Sequence, residues 1–514
     1  MRRWVITMVS ALFLLLLAVP AFASDYQAVD VEVDGSKLTV SAYLVDGRTM
    51  VPMRAIFERL NATIEWDDVR KSATAMKGTT KVQLWIGRTD AQSGDHAVTL
   101  DVPPMLINGS TYVPLRFVSE SLGAEVSFDS ERNTAVVATN SGCTHDGGQT
   151  HSGTIQPGGE TWGVCGSPHF VKGDFIVSGK DSPVLTIEAG AVVHFEQAAS
   201  IRIGEDAPGG LVVEGTEEQP VVLTADTAGA EPGFWRGIQF FSQTVKGRAS
   251  LEHARIEYAG DISEGAVGVH SDTQPLSVMM NDTEIKNSLY AGMLLQGLSQ
   301  LTLQSNGLHI TGTKASAEGG GAPIITGVYG TNRLPDGDYT GNDADQILIA
   351  PGTSTDTVTR NTIWRNVGVP YHSETTVVIE GAANPLLTVE PGVTANWSNG
   401  YGMRVGEAGR GGLHAVGTAE QPVTFSSELA RPGTWEGLYV GDQAGEVNVQ
   451  YAVIEYARQG VSFWQDMGPV IQNCTIRSNE EYGIAVLNED STATDFRSGL
   501  GNTFKNNGED QHTD

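Results

Sequence analysis

Residues 185–190 read LTIEAG and residues 387–392 read LTVEPG, so the same order of apolar, acidic and glycine positions returns after 202 residues (387 − 185). The correspondence continues downstream, where residues 215–221 (GTEEQPV) return as residues 417–423 (GTAEQPV) at the same offset. Further along the chain the offset falls by a few residues, which indicates loops of different length on a shared framework. Internal repeats of this kind are typical of elongated proteins built from stacked units.

The repeated blocks are short apolar runs separated by Gly, Asn and Pro. Residues 201–203 (IRI), 211–213 (LVV) and 221–223 (VVL) follow one another at a spacing that fits short strands that turn corners. In residues 470–476 (VIQNCTI), an Asn stands between two strand-like pieces, where it can adopt a left-handed conformation at a corner. An antiparallel β-sandwich and a parallel β-helix both fit such strands, and the recurring order of strand, corner and glycine favours the β-helix.

This pattern resembles the β-helix repeat of the pectate-lyase-like superfamily, over about two thirds of the chain. We therefore predict a mainly β fold, a right-handed parallel β-helix solenoid with a small N-terminal α+β domain. The resemblance implies that an enzyme of this kind needs clustered aspartates, or a calcium site beside an arginine base. The main body contains none of the hydrolase motifs N-T-D, D-D, G-H-G and R-I-K. A non-enzymatic protein is therefore the favoured interpretation.

The N-terminal part of the chain has a repeat of its own. Residues 44–54 (LVDGRTMVPMR) are echoed by residues 106–116 (LINGSTYVPLR) at an offset of 62 (106 − 44). The DG and NG dipeptides are signals for hairpin turns, and the proline of each run suits the first turn of a helix. Apolar residues at helical spacing and then an alternating run follow in both copies. Each copy is therefore predicted to form a hairpin, a short helix and a strand.

These paired runs resemble the copper amine oxidase-like N-terminal domain, a stalk-type module of secreted bacterial proteins. The resemblance implies a stalk without the oxidase chemistry, so no amine oxidase activity is expected. Arg54 and Arg116 occupy the same position in the two copies. They fit either a paired binding site or a salt bridge within each helix, and the second interpretation is favoured.

The first residues predict export. Arg2 and Arg3 precede a short apolar run, and Ala21, Phe22 and Ala23 form a small-x-small cleavage site, as in a secretory signal peptide. No later apolar segment is long enough to span a bilayer, so no membrane span is expected after signal cleavage. The formal charge of −29 without a basic cluster argues against a nucleic-acid partner.

The chain has three cysteines. An exported protein folds in an oxidising compartment, which favours a disulfide between Cys143 and Cys165. Cys474 lies in a strand-like run and is predicted to be a free buried thiol.

Two sets of residues are candidates for binding. Trp235 and Trp435 occupy matching positions in the long repeat and could stack on sugar rings, although matching positions also suit a packing role. Further candidate sugar platforms are Trp397, Tyr401, Tyr439 and Trp464.

An acidic cluster is the candidate metal site. Asp336, Asp338, Asp343 and Asp345 could hold calcium, because the run begins like an EF-hand loop. Ile347 stands where that loop requires a glutamate, so a polar loop without metal is the alternative. No other cofactor is expected.

The sequence predicts five segments: a signal peptide (1–23), the stalk-type domain (24–140), a linker (141–160) and two β-helix segments (161–360 and 361–514). The function that we expect is that of a secreted, non-enzymatic extracellular or cell-surface protein. It would adhere to, or bind, a polysaccharide or another cell-envelope component through the β-helix. The alternatives are a polysaccharide lyase or glycoside hydrolase on the same β-helix, and a purely structural envelope protein.

Overall fold

The computed structural model describes residues 26–60, 62–77, 80–94, 96–122, 124–130, 132–139, 148–464, 468–487 and 495–513. The predicted signal peptide and Cys143 lie outside these residues. The chain divides into two compact units, residues 1–143 and residues 144–514. Strands make up 55% and helices 3% of the structure, so the protein is mainly β, as predicted.

The N-terminal unit combines two sheets with two short helices, Met53–Arg59 and Leu115–Ser121. Its strands are Gln27–Val33, Ser36–Lys37, Ala42–Val45, Arg48–Pro52, Thr63–Asp67, Ser72–Lys77, Thr80–Trp85, Asp90–Ser93, His96–Thr99, Met105–Ile107, Ser110–Pro114, Glu125–Asp129 and Thr134–Ala138. Both copies of the short repeat form the predicted hairpin, helix and strand.

The two copies meet along one pair of equivalent strands. Strands Arg48–Pro52 and Ser110–Pro114 pair antiparallel, with Val51 opposite Val113. These two valines are themselves equivalent at the offset of 62, and both are fully buried. Each strand runs directly into its helix after a proline, so the two helices begin on opposite sides of this strand pair.

The second unit is a β-solenoid of about 14 turns. Its strands stack in parallel into five ladders, which we number 1 to 5. Strand Thr150–Thr154 pairs with His169–Val177 and opens the stack, so the solenoid starts inside the range expected to be a linker. A two-strand hairpin, Ala315–Ser316 with Gly319–Gly320, lies outside the ladders.

Three ladders begin in the first half of the solenoid, and the long strands His169–Val177, Gly260–Asn281 and Leu289–Leu301 each contribute to two of them. Ladder 1 further contains Glu160–Trp162, Val184–Glu188, Gly209–Glu214 and Thr244–Glu252. Ladder 2 further contains Val192–Phe195, Val221–Ala225, Ala254–Glu257, Glu284–Lys286, Leu308–Thr311 and Gly337–Asp338. Ladder 3 further contains Ser200–Ile203, Gly237–Phe241, Ala322–Thr326, Ile347–Ile349, Tyr371–Ser373, Thr394–Trp397, Val423–Ser427, Ala452–Glu455, Thr475–Arg477 and Thr503–Lys505.

Two further ladders begin in the second half. Ladder 4 contains Thr355–Val358, Thr376–Ile379, Met403–Val405, Leu438–Val440, Gln459–Trp464, Tyr482–Leu487 and Glu509–Thr513. Ladder 5 contains Thr362–Trp364, Leu386–Val389, Gly411–Val416, Ala444–Gln450 and Val470–Gln472.

The interior is filled by equivalent side chains stacked from turn to turn. In ladder 1, for example, Ile187, Val213 and Leu251 are in register and fully buried. Alternate residues along each strand point inward, which explains the short apolar runs of the sequence. Burying an aliphatic side chain contributes about 1.5–3 kcal/mol, so each turn is stabilised mainly by its neighbours.

The long repeat changes ladder between its two copies. Val192–Phe195 lies in ladder 2, but its equivalent Thr394–Trp397 lies in ladder 3. The change takes place where ladder 2 ends, at Gly337–Asp338, and ladder 4 begins, at Thr355–Val358. Ladder 3 continues across this point. The two copies therefore share a framework that is shifted by one ladder.

Trp235 and Trp435 are core residues in this framework. Both are buried to within 1% of full burial, and Trp235 stacks on Phe195 with ring centroids 3.7 Å apart. Trp435 stacks in the same way on Trp397, at 4.9 Å. Neither ring has an accessible face, so the structure corrects the hypothesis that they bind sugar and favours packing.

The indole nitrogens and the following glycines explain why this segment repeats. Each indole Nε1 donates to a backbone carbonyl of the next turn, 2.8 Å away in both copies. The glycines two positions later, Gly237 and Gly437, have φ values of 88° and 106°. A Cβ at either glycine would overlap a carbonyl oxygen of the next turn, so only glycine fits.

A pair of buried histidines occupies the first turn of the solenoid. His151 Nε2 lies 3.0 Å from His169 Nδ1, and His169 Nε2 donates to the carbonyl of Gly163 at 2.8 Å. Trp162 packs against both imidazoles. His151 and His169 are thus part of the solenoid rather than linker residues, and His145 lies outside the described residues.

Burial lowers the pKa of His151 to about 4, and the neighbouring His169 acts in the same direction. Burial also lowers the pKa of His169. The folded protein therefore binds these protons less readily than the unfolded chain does, in which the pKa stays near 6.5. Stability from the neutral pair is complete above pH 6.5 and is lost as the pH falls towards 4.

We predict that the free energy of unfolding of the wild type falls more between pH 6.5 and pH 4 than that of His151→Phe. The phenylalanine keeps an aromatic ring but binds no proton. Urea unfolding at several pH values checks this, with His309→Phe, at an exposed histidine, as the matched control. An equal pH dependence of all three proteins would contradict the prediction.

We also predict that Trp435→Ala lowers the free energy of unfolding by about 3–5 kcal/mol, because it leaves a cavity and an unpaired carbonyl. Trp464→Ala, at a tryptophan that is 45% exposed, should cost less than about 1 kcal/mol. Urea unfolding followed by circular dichroism measures both. Similar losses in the two variants would show that Trp435 is not a core residue.

Candidate functional site

The four aspartates of the predicted calcium site have separate protein partners. Asp336 forms a 2.7 Å ion pair with Arg365, and Asp343 forms one of 2.8 Å with Lys314. The hydrogen bond from the Lys314 ammonium lowers the pKa of Asp343, with a second contribution from the amide of Ala315.

The other two carboxylates cap their own loop. Asp338 accepts hydrogen bonds from the amide and hydroxyl of Thr340, which lower its pKa. Asp345 accepts from the amides of Gly341 and Asn342. In the described ranges, no three His, Cys, Asp or Glu side chains are grouped to hold a metal ion. The expectation of a calcium site is therefore corrected: the acidic run is a polar loop at the point where the ladders change.

The remaining candidate platforms divide into buried and exposed residues. Trp397 is fully buried, and Tyr401 packs against the core. Trp464, in contrast, lies on the outer face of ladder 4, and its indole Nε1 donates to the hydroxyl of Tyr439 at 3.1 Å. Residues 25 positions apart in the sequence thus form one aromatic pair on the surface.

Tyr439, the residue that accepts the hydrogen bond of Trp464, lines a cavity of about 370 Å³ on the outer face of ladder 4, which we call the ladder-4 groove. Its polar lining consists of Arg404, Glu407, Glu436, Tyr439, Arg458, Gln459 and Ser462. Arg404, Tyr439 and Ser462 stand in register on three successive turns. Successive strands are about 4.8 Å apart, so the groove offers polar groups at a regular step.

Ion pairs order the charged side chains of the groove. Arg458 lies 2.9 Å from Glu436 and 3.9 Å from Glu481, and Arg404 lies 3.1 Å from Glu407. Gln459 donates to Glu481 at 2.8 Å. Half-exposed pairs of this kind add little stability, but they hold donors and acceptors in fixed positions beside the aromatic pair.

Ladder 3 carries a contact between a serine and a histidine, the pair of side chains that a serine nucleophile needs. His372 Nε2 lies 3.0 Å from Ser398 Oγ and 3.6 Å from Glu428. A triad needs the carboxylate on the other nitrogen, yet Nδ1 of this buried histidine has no hydrogen-bond partner within the described part of the chain. The contact therefore lacks the arrangement of an activated serine.

The residues that sequence reasoning missed are the charged ones of the groove. Arg404, Glu436 and Arg458 come from three different turns, and no local motif joins them. Trp464 and Tyr439 were among the candidates because aromatic residues can stack on sugars, but residue type alone did not separate them from the buried Trp397. Cys165 is disulfide-bonded, while its predicted partner Cys143 lies outside the described residues. Cys474 is a free buried thiol, as predicted.

Comparison with known proteins identifies the N-terminal unit. Residues 32–137 match the family model described as the copper amine oxidase N-terminal domain. A curated relative named "Protease inhibitor", from Brevibacillus choshinensis, is 31% identical over 120 residues, which are 23% of this chain and 37% of the relative. The chain thus covers less than half of that protein.

No solved structure matches the chain significantly. In the described residues, no helix has both the length and the hydropathy of a membrane span. The handedness of the solenoid and its membership of the pectate-lyase-like superfamily stay predictions. Residues 32–137 are a copper amine oxidase N-terminal domain, followed in the same chain by a β-solenoid over residues 153–513.

Proposed function

We propose that this protein is secreted and binds a glycan of the cell envelope, without cleaving it, in the ladder-4 groove. The observation that carries the proposal is the exposed Trp464–Tyr439 pair beside a cavity lined by ordered arginine, glutamate and glutamine side chains. A concave site with an aromatic wall and a few fixed polar groups is a common arrangement for small ligands.

The chemistry of the groove suits a sugar chain. A pyranose ring has an apolar C–H face that can stack on Trp464, while its hydroxyls can donate to Glu436 and accept from Arg404. The regular step of polar groups along ladder 4 favours a linear polymer over a compact ligand. Paired carboxylates and arginines that hold one another suit binding better than a reaction that needs an unpaired acid and base.

Secretion is supported by two observations. The sequence of residues 1–23 has the order of a signal peptide. Cys165 is disulfide-bonded, which is typical of proteins that fold outside the cytosol.

We predict that Trp464→Ala lowers the affinity for a bound envelope polysaccharide at least about tenfold, because the stacking surface is lost. A glycan array identifies the ligand, and isothermal titration calorimetry compares the variants. Leu303→Ala, which truncates another exposed apolar residue on the solenoid (68% exposed), is the control and should bind like the wild type.

The same samples are assayed for new reducing or unsaturated sugar ends. Binding without product supports the proposal. Release of product would overturn it in favour of a lyase or hydrolase on the solenoid. Absence of both binding and product would favour a purely structural envelope protein.

A second candidate function is protease inhibition, which the printed name of the Brevibacillus relative suggests. Stoichiometric loss of activity of a purified protease on addition of the full chain would support it. Unchanged activity across serine, cysteine and metalloprotease representatives would exclude inhibition of those classes.

A further inference from the structure

Two cavities lie in the N-terminal unit, and part of their linings comes from positions that are equivalent in the two copies of the short repeat. The first has a volume of about 310 Å³ and is lined by Thr49, Leu115, Arg116, Val126 and Phe128, among others. The second has a volume of about 610 Å³ and is lined by Met53, Arg54, Ile64, Trp66 and Thr111, among others. We call them groove 1 and groove 2.

The two grooves are built from equivalent positions with the copies exchanged. Groove 1 takes its helix and strand residues from the second copy and its threonine from the first. Groove 2 takes its helix and strand residues from the first copy and its threonine from the second. Each of the five positions differs by 62 from its counterpart, as for Arg54 and Arg116. Five lining positions are thus common to the two grooves, whereas their other lining residues and their volumes differ.

The exposed members of the grooves are not required by the fold. Trp66 is 43% exposed and Phe128 is 45% exposed, although an aromatic ring at these positions contributes little to the core. The side chains of Arg54 and Arg116 are 83% and 62% exposed. Both copies thus keep an exposed aromatic residue and an exposed arginine at the same positions.

The arginines have free hydrogen-bonding capacity. Arg54 forms an ion pair with Glu58 at 3.8 Å and Arg116 forms one with Glu120 at 3.9 Å, one helical turn away in each case, as the favoured interpretation of the sequence predicted. Both distances exceed the length of a hydrogen bond. Within the described residues, neither guanidinium donates a hydrogen bond, so the planar N–H groups remain available for a carboxylate.

We propose that grooves 1 and 2 each bind one sugar unit of the same carboxylate-bearing polysaccharide. The sugar ring stacks on Trp66 or Phe128, and its carboxylate pairs with the arginine of the same groove. A polymer of repeated acidic sugars supplies the same group twice, which matches two equivalent grooves. This site is separate from the ladder-4 groove and does not depend on it.

The test uses the full chain without its signal peptide, with trigalacturonate and polygalacturonate as probes in isothermal titration calorimetry. Trigalacturonate should bind at two sites per chain. Arg116→Gln should reduce this number to one, because each groove holds its sugar carboxylate through its own arginine. Arg54→Gln with Arg116→Gln should abolish both, and binding by the wild type should weaken as salt rises.

Arg70→Gln, at an exposed arginine of the same unit, is the matched control and should bind like the wild type. Trp464→Ala should also leave these two sites unchanged, which separates them from the solenoid site. Unchanged binding in the double variant, or no binding by the wild type, would overturn the proposal. Equal affinity for poly-glutamate would overturn the assignment to a polysaccharide, and equal affinity for neutral dextran would overturn the role of the arginines.

Discussion

The structure depends on one constraint: each turn of the solenoid satisfies its backbone hydrogen bonds and buries its apolar side chains only against the turns on either side. Inward positions must therefore be apolar and of similar size from turn to turn, as in the stack of Ile187, Val213 and Leu251. Corners must accept left-handed conformations, and a few close approaches admit only glycine. Residues on the outer face do not have to meet these packing requirements, and the ladder-4 groove lies on this face.

The same constraint explains how much of the fold could be predicted from the sequence. Repeated apolar runs identified a solenoid, and paired hairpin signals identified the N-terminal domain, because both reflect local geometry. The change of ladder between the two copies could not be predicted, since matching residues say nothing about which stack each copy joins. Trp235 and Trp435 are an example. Their matching positions in the repeat fitted either sugar binding or packing, and the structure shows that both rings pack in the core.

Only part of the candidate site could be predicted from the sequence. Trp464 and Tyr439 could be named as candidate aromatic residues, but their position on the surface could not be predicted. Arg404, Glu436 and Arg458 come together only when three turns are stacked. The acidic run 336–345 suggested a metal site that the structure does not support. Carboxylates that are close in the sequence can instead accept hydrogen bonds from the amide and hydroxyl groups of their own loop. In the N-terminal unit the informative comparison was between the two copies, whose exposed residues agree although the fold does not demand it.

The shift of one ladder has a consequence for how this solenoid can lengthen or shorten. Removing or duplicating a whole turn within either half leaves every strand above it in its own stack. A crossover between the two copies of the long repeat would not keep the strands in their own stacks. It would place a strand of ladder 2 next to turns whose equivalent strand belongs to ladder 3. The order of the two halves along the chain is therefore fixed by the stacking of their strands, although their sequences remain similar.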